Sequence, residues 1–155
     1  MALMYRFKKE KLDNGSFVLR PRIAIILQGK DYSIEVPALI DSGADKTVIP
    51  ESLARAVGLN LEGGRDTLIA FREENSVVHS KAAVTFMSKH KREQVTLTIP
   101  ILIVLSKGNI VDEEDVVLGV DGVFDAFDIL FSKTANKIRL KRVSSDKITK
   151  NLQNT

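Results

Sequence analysis

The sequence of 155 residues contains no cysteine. The chain therefore cannot form a disulfide, use a thiolate nucleophile or hold zinc through sulfur ligands. A protein without cysteine is suited to a reducing compartment, and we expect this one to be cytoplasmic.

Long apolar runs are also missing. The most apolar stretch, 99–105, is far shorter than the roughly 20 residues that a membrane-spanning helix needs. The first ten residues lack the apolar stretch and the small-residue cleavage site of a secretory signal. We therefore predict no membrane partner and a chain that begins at its mature end.

Concentrated charge of one sign is absent too. The formal net charge is +3, and the densest basic patches, 6–11 and 139–142, lie near opposite ends of the chain. Proteins that bind nucleic acid usually concentrate such charge in a stripe or on a helix face, so we predict no nucleic-acid partner. One alternative stays open, in which the chain is a small β protein that binds nucleic acid through its basic ends. A steep salt dependence of binding would identify this function.

The composition that is present, 44% hydrophobic and 28% charged residues, is that of an ordinary globular protein. The length predicts a single domain, which we assign to 1–143. Polar residues replace apolar ones from 144 to 155, and this segment is predicted to be a flexible tail.

Short runs of β-branched and aliphatic residues separated by turn residues predict a mainly β protein. Asn14-Gly15 predicts a hairpin turn. One helix is expected at 50–58, with Pro50 in its first turn and Gly58 at its end, and a shorter one near 121–126. The predicted strands are 5–12, 17–27, 32–40, 66–71, 77–87, 94–105, 127–131 and 137–142.

Two apolar segments end in glycine-containing turns. The run 38–50 has apolar residues, then Asp41-Ser42-Gly43-Ala44, a polar pair and a further apolar strand; Val116-Val117-Leu118-Gly119 later leads to a short helix and a final strand. In this order the segments resemble the retropepsins and their cellular relatives, over roughly 20–140. The resemblance implies an all-β, retropepsin-like acid protease half-barrel with two short helices, closed by homodimerisation.

The same resemblance implies an aspartic endopeptidase that needs no cofactor and acts on peptide or protein substrates. Such an enzyme requires two carboxylates so close that one holds a proton while the other activates water. A single domain with one suitable aspartate must therefore dimerise. We predict that Asp41 from two copies forms the catalytic pair.

Neighbouring residues are expected to support this loop. Ser42 would donate its hydroxyl to the opposite loop, Gly43 would let its backbone bond a carboxylate oxygen, and Ala44 would leave the cleft open. The alternative is that Asp41 and Ser42 simply satisfy a turn. The flanking apolar strand and the second segment favour catalysis.

Four further residues are possible substrate-binding positions by resemblance: Asp45, Ala70, Phe71 and Gly119. Ala70 and Phe71 belong to a predicted protruding hairpin, the flap, whose tip at 70–75 has no glycine where retropepsin flaps commonly carry several. This charged tip is the one hint of a second hypothesis, in which a catalytically weak dimer serves as a peptide-binding or scaffold module.

No metal site is predicted. His79 and His90 lie on separate predicted segments without an adjoining acid signature, and the acidic run 112–115 lacks the ligand spacing and glycine of an EF-hand. Phe124, Phe127 and Phe131 recur at helix-like spacing and are predicted to lie in the core.

Overall fold

The computed structural model describes residues 1–70, 72–90, 92–107 and 115–144, with the side chain of Ala70 excepted. Most of these residues lie in strands, which confirms the mainly β prediction. The elements are β1 (Ala2–Tyr5), β2 (Lys8–Lys11), β3 (Phe17–Arg20), β4 (Arg22–Gln28), β5 (Ser33–Ile40), β6 (Thr47–Pro50), α1 (Glu51–Val57), β7 (Arg65–Ala70), β8 (Glu73–Met87), β9 (Gln94–Val104), β10 (Val116–Leu118), α2 (Val123–Ala126), β11 (Phe127–Ser132) and β12 (Lys137–Arg142).

The main sheet has seven strands in the order β4-β5-β10-β6-β9-β8-β7. A further pairing joins β4 to β8, with Ile25 opposite Phe86, so the sheet curls into a closed ring from which β7 projects as part of a hairpin. The ring encloses the main hydrophobic core, which includes Ile25, Phe86 and Ile101. That a second copy of the chain completes the active site, as the resemblance implies, stays a prediction.

A second sheet, in the order β1-β12-β11, covers one side of this core. Leu3 lies opposite Leu140, and both side chains are fully buried together with Ile138. Phe127 also lies in the core, whereas Phe131 is 43% exposed and its ring packs against Phe7 at 6.5 Å between centroids. The prediction of a core position is therefore wrong for Phe131, because β11 is buried at its start, at Phe127, but exposed farther along, at Leu130 and Phe131.

Two long predicted strands are each divided. The segment 5–12 is split between β1 and β2, and 17–27 between β3 and β4, with Pro21 at the second break. Proline has no backbone N–H to donate, which ends a strand ladder. β2 and β3 form the hairpin that Asn14-Gly15 predicted, with Gly15 at a φ of 85°.

Helix α1 begins at Glu51, one residue later than predicted, because Pro50 is both the last residue of β6 and the helix N-cap. The Ser106 N–H donates to the Glu51 carboxylate at 2.7 Å, and the Arg55 guanidinium donates to its other oxygen. These contacts lower the pKa of Glu51. Gly58 ends the helix in the left-handed conformation, with a φ of 83°.

No helix in the described ranges is long and apolar enough to cross a bilayer. The predicted tail lies outside the described residues from 145 onward, and so does the acidic run except for Asp115.

Candidate active site

Strand β5 delivers Asp41 to the end of the closed sheet. The strand lies parallel to β10, with Ile40 opposite Leu118, and β10 lies antiparallel to β6 through Val117 and Val48. The two segments singled out in the sequence are therefore neighbours in one sheet. The buried side chains of Ile40 and Leu118 fix the direction from which Asp41 leaves the core.

Asp41 is held by backbone and side-chain hydrogen bonds. Its N–H donates to the Leu118 carbonyl at 3.0 Å, and its carbonyl accepts the Ala44 N–H at 3.3 Å. The Gly43 N–H donates to Asp41 Oδ1 at 2.8 Å. A Cβ on Gly43 would come within 3.1 Å of the same oxygen, which is tighter than ordinary contact. The half-buried carboxylate thus has one oxygen committed to its own loop.

The rest of the loop is tied to the residues that follow β10. The Val120 N–H donates to the Ala44 carbonyl, and the Asp121 N–H donates to the Asp45 carbonyl, each at 2.8 Å. With the Asp41–Leu118 bond, these contacts join the loop to the second segment along its length. These hydrogen bonds satisfy several of the loop's backbone groups without a regular ladder.

Gly119 and Thr47 complete this junction. The Thr47 side chain is fully buried, and its hydroxyl accepts the Gly119 N–H at 3.1 Å. A Cβ on Gly119 would lie 2.3 Å from the carbonyl carbon of Lys46, so only glycine fits. Sequence reasoning assigned no role to Thr47, because a threonine at a strand start is usually there for its β-branched shape.

Ser42 and Asp45 are exposed, while Ala44 is half-buried. The loop therefore brings Asp41, Ser42, Gly43, Ala44 and Asp45 together on one short segment. Gly119 lies beneath it, buried rather than exposed.

The predicted flap is the hairpin of β7 and β8, but its tip is shorter than expected. Glu73 pairs with Ala70 and Glu74 with Ile69, so the residues assigned to the tip at 73–75 belong to β8. Arg72 turns the chain with a φ of 66°, in the left-handed region that usually favours glycine. Phe71 lies outside the described residues.

The base of this hairpin is tied to the loop by a small apolar cluster. Buried Val77, Leu102 and Val104 pack with half-buried Leu68 of β7 and Val48 of β6, apart from the main core. Val48 follows Thr47 directly, so the cluster connects the hairpin to the strand that leaves the loop.

A polar contact lies at the same base. Asp66 Oδ2 is 3.1 Å from His79 Nε2, and Asp66 Oδ1 accepts the Thr67 N–H at 2.8 Å. The hydrogen bond with His79, followed by that from Thr67, lowers the pKa of Asp66, and the charge of nearby Lys46 adds to the effect. The sequence near His79 did not indicate this acidic neighbour, because Asp66 lies 13 positions away and reaches His79 only across the hairpin.

No cluster of three or more histidine and acidic side chains that could hold a metal occurs within the described ranges. One carboxylate at the end of an apolar strand can serve as a proton acceptor or donor. It cannot by itself form a pair.

The chain is similar to a known protein family and to solved structures. A family model described as aspartyl protease matches residues 25–121. A retropepsin-like aspartic protease from Rickettsia conorii is similar in structure, with 13% identity, a TM-score of 0.54, and coverage of 90% of this chain and 91% of that chain.

The retroviral protease-like domain of a Leishmania major protein is also similar, with 11% identity, a TM-score of 0.53, and coverage of 83% of this chain and 98% of that domain. At such identities the likeness establishes the fold. No curated protein matches the sequence.

Proposed function

Since the chain belongs to the aspartyl protease family and has a retropepsin-like fold, we propose that it is an endopeptidase whose active site forms when Asp41 of one copy meets Asp41 of a second copy. The substrate would be an extended stretch of peptide or protein bound between the two loops and the two hairpins. We propose that neither a metal nor a cofactor takes part.

The observation that carries this proposal is the support of Asp41. Its carboxylate accepts the Gly43 N–H at 2.8 Å, and its N–H is bonded to Leu118 at the end of a buried parallel pair of strands. A catalytic carboxylate must be held in a fixed position before substrate arrives. One such loop per chain requires a symmetric partner to supply the second carboxylate.

In the proposed reaction, the ionised member of the Asp41 pair takes a proton from a water molecule as the water oxygen adds to the peptide carbonyl carbon. The protonated member gives its proton to the carbonyl oxygen. The carboxyl group that took the proton from water then gives it to the amide nitrogen, while one hydroxyl of the tetrahedral intermediate returns its proton to the other carboxylate. The carbon–nitrogen bond breaks to give an acid and an amine, and the pair again holds a single proton. Two carboxylates in contact favour the state with a single shared proton that these steps need.

The other residues of the loop have proposed supporting roles. Ser42 would bond across the two-fold axis, while Gly43 and Ala44 keep the loop compact beside the substrate. Asp45, Ala70 and Phe71 are proposed to contact the substrate. For Gly119, burial and the close approach to Lys46 favour a positioning role beneath the loop.

The test is the substitution Asp41→Asn, which keeps the size of the side chain and removes the carboxylate. Cleavage of a mixed peptide library should fall by at least about a thousandfold, while thermal unfolding stays close to that of the parent. The matched control is Asp45→Asn in the same loop, which should cost far less activity. Analytical ultracentrifugation of both variants should give the same dimer.

Two outcomes would contradict the proposal. Full cleavage by purified Asp41→Asn would exclude the carboxylate pair, and cleavage by a protein that stays monomeric at the assay concentration would exclude a shared site. A larger loss in Asp45→Asn than in Asp41→Asn would identify Asp45 as the reacting carboxylate.

The second candidate function, a dimeric peptide-binding module with weak catalysis, is favoured by one feature. The hairpin tip turns at Arg72 rather than at glycine, and Glu73 and Glu74 lie exposed beside it. A tip without glycine has less freedom to open and close over a substrate. Saturable binding of library peptides to the parent protein, without cleavage over the same pH range, would support this function.

A further inference from the structure

A cavity lies away from the Asp41 loop. It encloses about 900 Å³ between β1, the start of β4, the turn that joins β8 to β9, and the turn that joins β11 to β12. None of the residues that line it belongs to the loop 41–47 or to the hairpin tip. Whatever binds there would leave the proposed active site free.

Two strand edges border this cavity. β1 is the outer strand of the β1-β12-β11 sheet, and its consecutive residues Met4 and Tyr5 both line the cavity together with Arg6. Successive side chains of a strand point to opposite faces, so a space lined by consecutive residues runs along the strand's edge. The unpaired N–H and C=O groups of such an edge can accept another strand.

The start of β4 forms the opposite border. Its pairing with β8 extends from Ile25 to Gln28, whereas its first three residues, 22–24, pair with β5 on the other edge. All three of these residues line the cavity. The space between β1 and β4 is therefore an open slot with backbone polar groups along both borders.

The side chains around this slot are mainly cationic. Arg22 is already paired with Glu10 and, at 2.8 Å, with Asp115. Four other residues with basic side chains line the slot, and each side chain is exposed: Arg6, Lys89, Arg92 and Lys137. None of the four takes part in the ion pairs found among the described residues. The carboxylates at the rim are Glu35 and Glu93. The rim thus carries excess positive charge, which attracts an anionic ligand.

Apolar side chains complete the lining. Ile23 is buried, Met87 is half-buried, and Met4 is 37% exposed next to Ala2 and Ala24. An extended peptide alternates its side chains between two sides, so one set can contact this apolar surface while the other meets the basic rim.

We propose that this slot binds an extended acidic segment of another polypeptide, in which acidic and apolar residues alternate, by adding it as a strand to the free edge of β1. The binding would use backbone hydrogen bonds for affinity and the basic rim for selection. It does not depend on the proposed peptidase activity. Nucleic acid fits less well, since half-buried Tyr5 is the one Phe, Tyr or Trp among the described lining residues and His90 is the one further aromatic ring, so bases have little surface on which to stack.

The test uses a fluorescein-labelled peptide of alternating glutamate and valine, about eight residues long, and the 155-residue chain. Fluorescence anisotropy should show saturable binding, and mass spectrometry should show that the probe stays intact. In the variant Lys89→Glu/Arg92→Glu, affinity should fall at least about tenfold, because two attractive charges become repulsive. The matched control Lys30→Glu/Lys81→Glu makes the same change in net charge at exposed positions outside the cavity and should bind as the parent does.

A second probe separates strand addition from simple charge attraction. The same peptide with alternate backbone nitrogens methylated keeps every charge but loses half of its N–H donors, and it should bind at least about tenfold more weakly. Equal binding of the methylated peptide would overturn the strand-addition proposal.

Three other results would also overturn it: equal binding of a lysine–valine peptide, tighter binding of single-stranded DNA than of the acidic peptide, or equal losses in the two double variants. If Lys89→Glu/Arg92→Glu alone dissociates a dimer in sedimentation, the occupant is a second copy of the chain, and the proposal of a separate polypeptide is wrong. Circular dichroism must show that both variants remain folded.

Discussion

The Asp41 loop and the β7–β8 hairpin would face the same substrate, yet they are stabilised in different ways. The loop is bonded to the residues around β10 at Leu118, Val120 and Asp121, and it rests on fully buried Thr47. The hairpin tip projects outward, with Ile69 69% exposed. The difference indicates a site with one rigid half, fixed by the core, and one half held mainly at its base, which is where opening motions of low free energy are expected.

The largest loss of stability should come from filling the space beneath the Asp41 loop, the rigid half of the site. In Gly119→Ala, the new Cβ would lie 2.3 Å from the Lys46 carbonyl carbon, so backbone must move. We expect the free energy of unfolding to fall by about 3 kcal/mol, measured by urea denaturation. Gly64→Ala is the control, because nothing lies within 4 Å of its Cβ position, and it should change stability by less than about 0.5 kcal/mol. Equal effects would mean that the loop is not rigid.

A smaller loss should follow from removing the buried hydroxyl at the same junction. Thr47→Val keeps the shape of the side chain but leaves the Gly119 N–H without its acceptor. An unsatisfied buried donor costs about 2 kcal/mol, which should appear in the free energy of unfolding. Thr98→Val, on an exposed position of β9, should cost less than about 0.5 kcal/mol. A loss in Thr47→Val no larger than in Thr98→Val would show that the bond does not secure the loop.

The sequence predicted the rigid half better than the hairpin, for physical reasons. The positions of β5 and β10 follow from apolar runs that end in turn residues, and these signals are local. The link between Thr47 and Gly119 spans 72 positions and becomes visible only once β6 and β10 are paired. Gly119 could be singled out as unusual, but its close approach to Lys46 could not be derived from the sequence.

Signals at the hairpin were weaker and partly misleading. Polar Glu73, Glu74 and Asn75 are typical of a loop, but cross-strand pairing makes them part of β8. Exposed strand positions tolerate polar residues, so composition alone does not locate the end of such a strand. The closure of the barrel through β4 and β8 was also not predictable, because it depends on how far the whole sheet curls.

The tip itself can be made more stable. Arg72 has a φ of 66°, which costs a residue with a Cβ roughly 1 kcal/mol. Arg72→Gly should therefore stabilise the hairpin by about 0.5–1 kcal/mol, seen as slower hydrogen exchange of the β7 and β8 amides near the tip. Glu74→Gly is the control, since a strand position gains nothing from glycine and exchange should become faster. Faster exchange in Arg72→Gly would indicate that the arginine side chain holds the tip in place.

The smallest effect on stability should come from the contact between Asp66 and His79 at the hairpin base. This base is where the β7–β8 hairpin approaches the Asp41 loop. Asp66 belongs to the hairpin, and its pKa is lowered from 3.8 by His79 and Thr67 and, to a lesser degree, by Lys46 of the loop. A carboxylate with a lowered pKa stabilises the folded state at pH values above its unfolded pKa, and this stabilisation is lost as the pH falls through the folded pKa. The hairpin base should therefore loosen only below about pH 3.8.

Titration of the Asp66 carboxyl carbon by NMR would measure this coupling directly. In His79→Ala the pKa of Asp66 should rise toward 3.8, because the hydrogen bond from His79 is the largest cause of its lowering. His90→Ala, in the turn after β8, should leave it unchanged. Lys46→Ala should raise it by less, and this smaller rise should vanish at high salt, because the Lys46 contribution is a charge interaction at an exposed site, whereas the short bond to His79 is screened less. If Asp66 instead titrates at 3.8 in the parent and in every variant, the polar contact contributes nothing to the link between the two halves, and the hairpin is held at its base by the apolar cluster around Val48 and by the pairing of β8 with β9.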